Sequence, residues 1–265
     1  MSWFWPDRSE WMRVAMRFLI LWPLVIYVAL LFMLTTFKDS LIYPGADMYR
    51  HLSLQDSEFT ASVAKKNLEV WRSPQGEYLG LKREVEDPER IWLIFYGNGD
   101  VSIRASGWFD FLGEFFPDRR LSFYVLEYPG YGPQEGVTSE ETILVKAKQA
   151  LDLLNSQSLP ITILGQSMGA GVACRLAKES GAGIDGLLLC NPYTSLIDAG
   201  YQYLSRIIGP LNKLVPLEAI VKDRYQSIEN IRSYEGPVVI VAGEEDTLTP
   251  AKMAEKLYEV VAGCG

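Results

Sequence analysis

Histidine is nearly missing: His51 is the only one in 265 residues. One imidazole rules out histidine-built metal centres, and three irregularly spaced cysteines, Cys174, Cys190 and Cys264, make neither a zinc pattern nor a disulfide framework. No metal or other cofactor is implied. Cys174 and Cys190 sit in apolar runs and read as small buried hydrophobes. Basic excess is missing too: 25 Lys and Arg against 33 Asp and Glu leave a net charge of −8, which argues against a nucleic-acid partner. There is no internal repeat and no low-complexity tract. What remains is 48% hydrophobic and 22% charged, the composition of a globular protein with a real core, long enough for one large domain or one domain plus an appendage.

The appendage is N-terminal. Residues 18–34 carry no charge, and Thr35, Thr36 and Phe37 extend the run to 20 residues, enough to cross a hydrocarbon core as a helix. Pro23 is tolerable there, and Trp3, Trp5, Trp11 and Trp22 gather near one end as interfacial aromatics do. A cleaved signal peptide would want a shorter run and a small-x-small site, which LTTFKDS does not offer. Residues 1–37 are expected to be a retained single-pass signal-anchor. Arg8, Arg13 and Arg17 before the span, against Lys38 and Arg50 after it, orient the bulk of the chain to the non-cytoplasmic side by a narrow margin. Residues 38–66 read as a polar, irregular linker.

From residue 67 the pattern alternates. LEVWRS (68–73) and YLGLKR (78–83) flank the turn signal SPQGE and predict an antiparallel hairpin. IWLIFY (91–96), the run from 121, ITIL (161–164), GLLLC (186–190) and VVIVAG (238–243) predict short strands buried on both faces. Helical patterns fall between them. One spans 103–116. Another opens at a capping box over Thr138–Glu141 and carries Ile143, Ala147, Ala150, Leu151 and Leu154 on one face. A third follows Ser167, and a last one covers 250–260. This is an α/β fold, a mostly parallel sheet with helices on both faces and the hairpin at one edge. In such sheets ligands bind beyond the carboxyl ends of the strands, where GNGD, GQSMG and GEED lie.

GQSMG, residues 165–169, puts Ser167 on a strand–turn–helix. The glycines permit a sharp turn that holds the hydroxyl proud of the sheet, and the Met168 N–H points to where an oxyanion would develop. In GNGD, residues 97–100, the Asn98 N–H is the second candidate oxyanion donor. Asp246, after the last strand, suits the acid that orients a base, with Glu244 and Glu245 as neighbouring alternatives.

FYGNGD, EYPGYGPQEG with TSE, GQSMGAGVA, NPYTSL, DRYQSIENI and GEEDTLTP, in this order, resemble the α/β-hydrolase superfamily. They are most similar to its membrane-anchored depalmitoylase and lysophospholipase-like branch, as is an N-terminal anchor followed by LIYPG. The resemblance implies a serine hydrolase of esters or thioesters, small or lipid-linked. Ser167 would be the nucleophile, Asp246 the triad acid, Asn98 and Met168 the oxyanion donors. The hydrolase domain would be 67–265, with 193–230 as a lid above the sheet. Two departures stand out. Tyr96-Gly97 replaces the family's His-Gly before the oxyanion loop. The strand and helix that bracket the family's catalytic histidine are missing after Gly265.

Three accounts of the missing base are open. His51 could be recruited, though nothing positions it. The sequence could be cut short, which is favoured because strand 238–243 would otherwise be a bare apolar edge. Or the chain could be a catalytically dead binding or assembly protein at the membrane. Without a base, only the residual catalysis of oxyanion hole and binding is expected.

Overall fold

The computed structural model describes residues 8–263. Trp3, Trp5 and Cys264 lie outside them. The chain begins with α1 (Arg8–Ile42), α2 (Pro44–Met48) and α3 (Ser57–Lys65), and then enters the sheet through β1 (Glu69–Arg72) and β2 (Tyr78–Arg83). Next come β3 (Arg90–Phe95), α4 (Ser102–Ala105), α5 (Gly107–Phe115), β4 (Leu121–Leu126) and α6 (Glu140–Asn155). The second half runs β5 (Ile161–Gln166), α7 (Met168–Ser180), β6 (Gly186–Cys190), α8 (Leu196–Ile208), α9 (Leu217–Ile220), α10 (Ser227–Ile231), β7 (Val238–Val241) and α11 (Ala251–Ala262).

The strands form one seven-stranded sheet in the order β1-β2-β4-β3-β5-β6-β7. β1 and β2 pair antiparallel, as do β2 and β4, and every pairing from β4 to β7 is parallel. This is the expected α/β architecture with the hairpin at one edge. β3, β4 and β5 are buried almost end to end because helices cover both faces, which is why their sequences are continuous apolar runs rather than alternating ones. At the other edge Val239 and Val241 are 57% and 51% exposed beside a groove bordered by Trp92, Phe111 and Phe115.

α1 is the one described helix long and apolar enough to cross a membrane: Trp11–Ile42, 32 residues, mean hydropathy 2.5. Only 6% of its apolar window is buried, so it is not a core helix. Thr35 and Thr36 turn their hydroxyls back onto the Leu31 and Phe32 carbonyls, satisfying their own polar groups within the helix.

The structure differs from the sequence reading at three places. Residues 38–66 are not irregular. They carry α2 and α3, and Tyr43, Phe59 and Val63 are buried in the main core. Asp56 caps α3 by accepting from the Glu58 N–H, and Phe59 and Val63 lie one turn apart on its inner face. The capping box of α6 is Ser139 with Thr142, one residue later than predicted, because the Thr138 hydroxyl is engaged by the Pro129 carbonyl at 2.6 Å. Within 193–230, Tyr193, Tyr225, Ser227 and Asn230 are buried, two of them in the main core. A separate cluster of Ile197, Leu204, Val215, Leu217 and Val221 packs against Leu30, Leu31 and Leu34 of α1. We refer to residues 196–221, which supply this cluster, as the cap.

Candidate active site

The site lies at the carboxyl ends of β3, β5, β6 and β7, where an open parallel sheet leaves its crevice. Ser167 is the N-cap of α7, with φ 51° and ψ −114°, a left-handed conformation that costs a non-glycine residue on the order of 1–3 kcal/mol. The turn is possible because Gly165 lets β5 approach α7, and Gly169 lets α7 approach β3, without side chains between them. Ser167 is anchored by its own N–H to the Cys190 carbonyl (2.9 Å), and its carbonyl accepts from Ala170 (2.9 Å). Met168 is the first residue of α7, so its N–H is in the first turn, where the helix supplies no acceptor.

The loop 97–100 lies against this turn: a Cβ added to Gly97 would sit 3.6 Å from the Ser167 Cβ. Ser167, Met168 and Asn98 line one cavity of about 420 Å³, walled mostly by apolar side chains from α1 and the cap, with Lys38 and Ser40 of α1 and Pro44, Tyr193, Leu248 and Thr249 completing it. The loop is held from two sides. On one, the Asn98 amide donates to the Ile42 carbonyl at the end of α1 (2.8 Å), and the Asn98 carbonyl accepts from Gly45 N–H (3.0 Å) and the Tyr131 hydroxyl (2.8 Å). Gly45 must be glycine, since a Cβ there would lie 2.4 Å from the Tyr131 ring and 2.8 Å from the Asn98 and Asp100 carbonyl oxygens. On the other, buried Glu127 accepts from the Tyr96 hydroxyl before the loop and from the Ser102 N–H and hydroxyl after it. Burial pushes the Glu127 carboxyl up to about 7, although these hydrogen bonds work in the opposite direction. Tyr96, which stands where the resembled family has a histidine, is thus a fully buried brace for the loop.

Asp246 follows β7. Burial would raise its carboxyl, but the Thr249 and Leu248 N–H groups, the Thr249 hydroxyl and the Asn191 amide outweigh that and hold it below the ordinary value. It is therefore ionised at neutral pH. Asp246 does not itself border the cavity, whereas Leu248 and Thr249 do. Glu244 and Glu245, the neighbouring alternatives, are exposed.

Asn191 was not singled out from the sequence. It follows β6 at φ 49°, donates to Asp246 Oδ2 at 2.6 Å, and accepts the Gly243 N–H at 3.2 Å. It ties the end of β6, whose Cys190 carbonyl holds Ser167, to the Asp246 loop. Its signal in the sequence is a lone polar residue directly after the buried run GLLLC. Replacing Asn191 with Ala should cost about 2 kcal/mol, the worth of a hydrogen bond to a charged group. It should also raise the pH at which Asp246 titrates. Urea denaturation and the acid limb of stability against pH check both.

His51 is exposed, in the turn after α2, and does not border the Ser167 cavity. It is the only histidine in the sequence, so residues 1–265 bring no histidine to Ser167. Burial pushes the Cys174 and Cys190 thiols up to about 12 and 11, so both are neutral. Among the described residues, no group of His, Cys, Asp and Glu is placed to hold a metal ion.

This architecture, with a serine on a strained strand–helix turn, is that of an α/β hydrolase. The family model described as serine aminopeptidase, S33, matches residues 102–227. The crystal structure of an α/β hydrolase from Vibrio vulnificus superposes with a TM-score of 0.63 at 20% identity, covering 88% of this chain and 83% of that one. An uncharacterized protein of Mycobacterium tuberculosis, Rv2307c, is 33% identical over 187 residues, 65% of this chain and 61% of its own length. Lysophosphatidylserine lipase ABHD12 of Danio rerio is 26% identical over 219 residues, 74% of this chain and 56% of its own length. The chain thus spans less than two thirds of each of these two curated relatives. It has the α/β-hydrolase fold, and its sequence is similar to those of the ABHD12 proteins.

Proposed function

We propose that the protein is a membrane-anchored serine hydrolase of carboxylic esters or thioesters, with lipid-linked acyl groups as its substrate class. The observation that carries this reading is Ser167, strained at φ 51° on the floor of an apolar cavity that Asn98 and Met168 also line. The Ser167 Oγ attacks the acyl carbonyl. The N–H groups of Met168 and Asn98 stabilise the tetrahedral oxyanion, the leaving group departs with a proton, and water releases the acyl-enzyme. Asp246, held ionised, is the group that would orient a base and stabilise its charged form. α1 is the anchor, and the lysophosphatidylserine lipase relative supports a lipid substrate.

Because no histidine borders the cavity, a second reading is a catalytically silent hydrolase fold that binds an acyl chain. One experiment separates the two. Residues 1–265 in detergent are assayed with a p-nitrophenyl ester, with and without added imidazole, and with a fluorophosphonate probe. Turnover is expected to be low alone. Imidazole should raise it about tenfold, a fraction of what a positioned base contributes. The probe should modify Ser167, and Ser167→Ala should abolish both signals. Imidazole-independent rates identical in Ser167→Ala and wild type, with no adduct, would leave only the binding reading.

A further inference from the structure

The cap carries an apolar edge on its outer side. Tyr203, Ile207, Leu211 and Leu214 are 47%, 61%, 58% and 61% exposed, spaced along the end of α8 and the 3-10 turn Gly209–Leu214. Four large apolar side chains in so short a segment are more than the scattered exposure of an ordinary surface. Arg206 and Lys213, also exposed, flank them.

The position of this edge along α1 decides what covers it. The Tyr27 hydroxyl donates to the Leu214 carbonyl at 2.8 Å, and the cap's inner cluster packs on Leu30, Leu31 and Leu34. A membrane span needs about 20 residues of helix. Any 20-residue stretch within Trp11–Ile42 contains residues 23–30, and the uncharged one, 18–37, has Tyr27 near its middle. If α1 spans, Tyr27 is in the hydrocarbon wherever the span is centred, and Leu214 is at its level. The Tyr27–Leu214 bond also satisfies a carbonyl that lipid could not.

We propose that residues 207–214 of the cap form a second membrane-embedded element beside α1, and that the Ser167 cavity receives bilayer-resident acyl lipids sideways between the two. This rests on the anchor reading of α1 and on the acyl substrate proposed above. The occupant is the lipid bilayer itself. Ile207, Leu211 and Leu214 meet acyl chains. The cavity walls fit the route, since Leu34, Lys38 and Leu41 come from α1 and Tyr203, Leu204 and Ile220 from the cap. One wall is α1 itself, and the other belongs to the cap, whose residues 207–214 the proposal puts in the membrane.

The test uses the full chain with Cys264→Ser, Cys174 and Cys190 being buried. Single cysteines Ile207→Cys and Leu211→Cys carry an environment-sensitive dye in vesicles of phosphatidylcholine and phosphatidylglycerol containing brominated lipid. Val25→Cys on α1 and Glu86→Cys on the sheet side are references. At least twofold quenching at 207 and 211, comparable to that at 25, with none at 86, is the expected result. Quenching at 25 but not at 207 or 211 overturns the cap proposal and leaves the anchor standing. No quenching at any site overturns the anchor reading and the cap proposal with it. None of these readouts depends on turnover, so they are independent of the reading of Ser167.

Discussion

Gly169→Ala is expected to destabilise the protein by about 4 kcal/mol, although the same change elsewhere in a helix stabilises. Alanine exceeds glycine in helix propensity by about 1 kcal/mol, and Gly169 lies in the first turn of α7. Here that gain is overridden. A Cβ at Gly169 would lie 2.1 Å from the Phe95 carbonyl oxygen and 2.4 Å from its carbon, and both are backbone atoms of β3, a central strand. They cannot rotate away, so α7 would have to lift off the sheet, and overpacking of this severity belongs to the extreme of single substitutions. The internal control is Gly113→Ala in α5, where an added Cβ meets nothing within 4 Å and a gain of up to about 1 kcal/mol is expected. Urea midpoints of the two variants should move in opposite directions. Equal midpoints for Gly169→Ala and wild type would show that α7 does not rest on β3 as described.

The second large effect concerns Glu127. Its carboxyl is pushed up to about 7 from an ordinary 4.5 by burial, against the pull of its hydrogen bonds. Between these pH values the folded protein binds the proton that the unfolded chain has released. Stability contributed by this group is therefore full below 4.5, falls as pH rises to 7, and is level above it. The total loss is about 3 kcal/mol. Glu127→Gln should flatten that slope while keeping an acceptor for Tyr96 and Ser102. Glu127→Leu should flatten the slope too, but at pH 4.5, where the wild type is most stable, it should cost about 4 kcal/mol, because it leaves the buried hydroxyls of Tyr78, Tyr96 and Ser102 without their acceptor. Thermal unfolding from pH 4.5 to 8 checks all three. A wild-type profile that rises between 5 and 7 with the same slope in Glu127→Gln would remove Glu127 as the cause.

Much of this was legible because parallel sheets write themselves plainly. Strands buried on both faces are short apolar runs, and those at 91–96, 161–164 and 186–190 are found within a residue or two of their predicted ends. The serine turn was legible because its glycines are required by backbone contact, not by preference. Residues 38–66 were misread because polar composition hides what a few side chains do: Tyr43, Phe59 and Val63 reach the core while their neighbours stay in water. Asn191 and Glu127 escaped for a different reason. Each acts on a partner 55 or 25 to 31 residues away, a proximity created only by the fold.

The direct join between α1 and the loop at Asn98 bears on how such a protein meets its substrate. A flexible tether lets a site sweep a volume that grows with linker length, at millimolar effective concentration of whatever shares the surface. Here Ile42 and Gly45 bond to Asn98 itself, so no slack separates helix from loop. With α1 as the anchor we propose, the site would stay at one height and address a plane rather than a volume. For the acyl-lipid substrates proposed, its working variable would then be their mole fraction in the bilayer, supplied by lateral diffusion, and not molarity in the surrounding water.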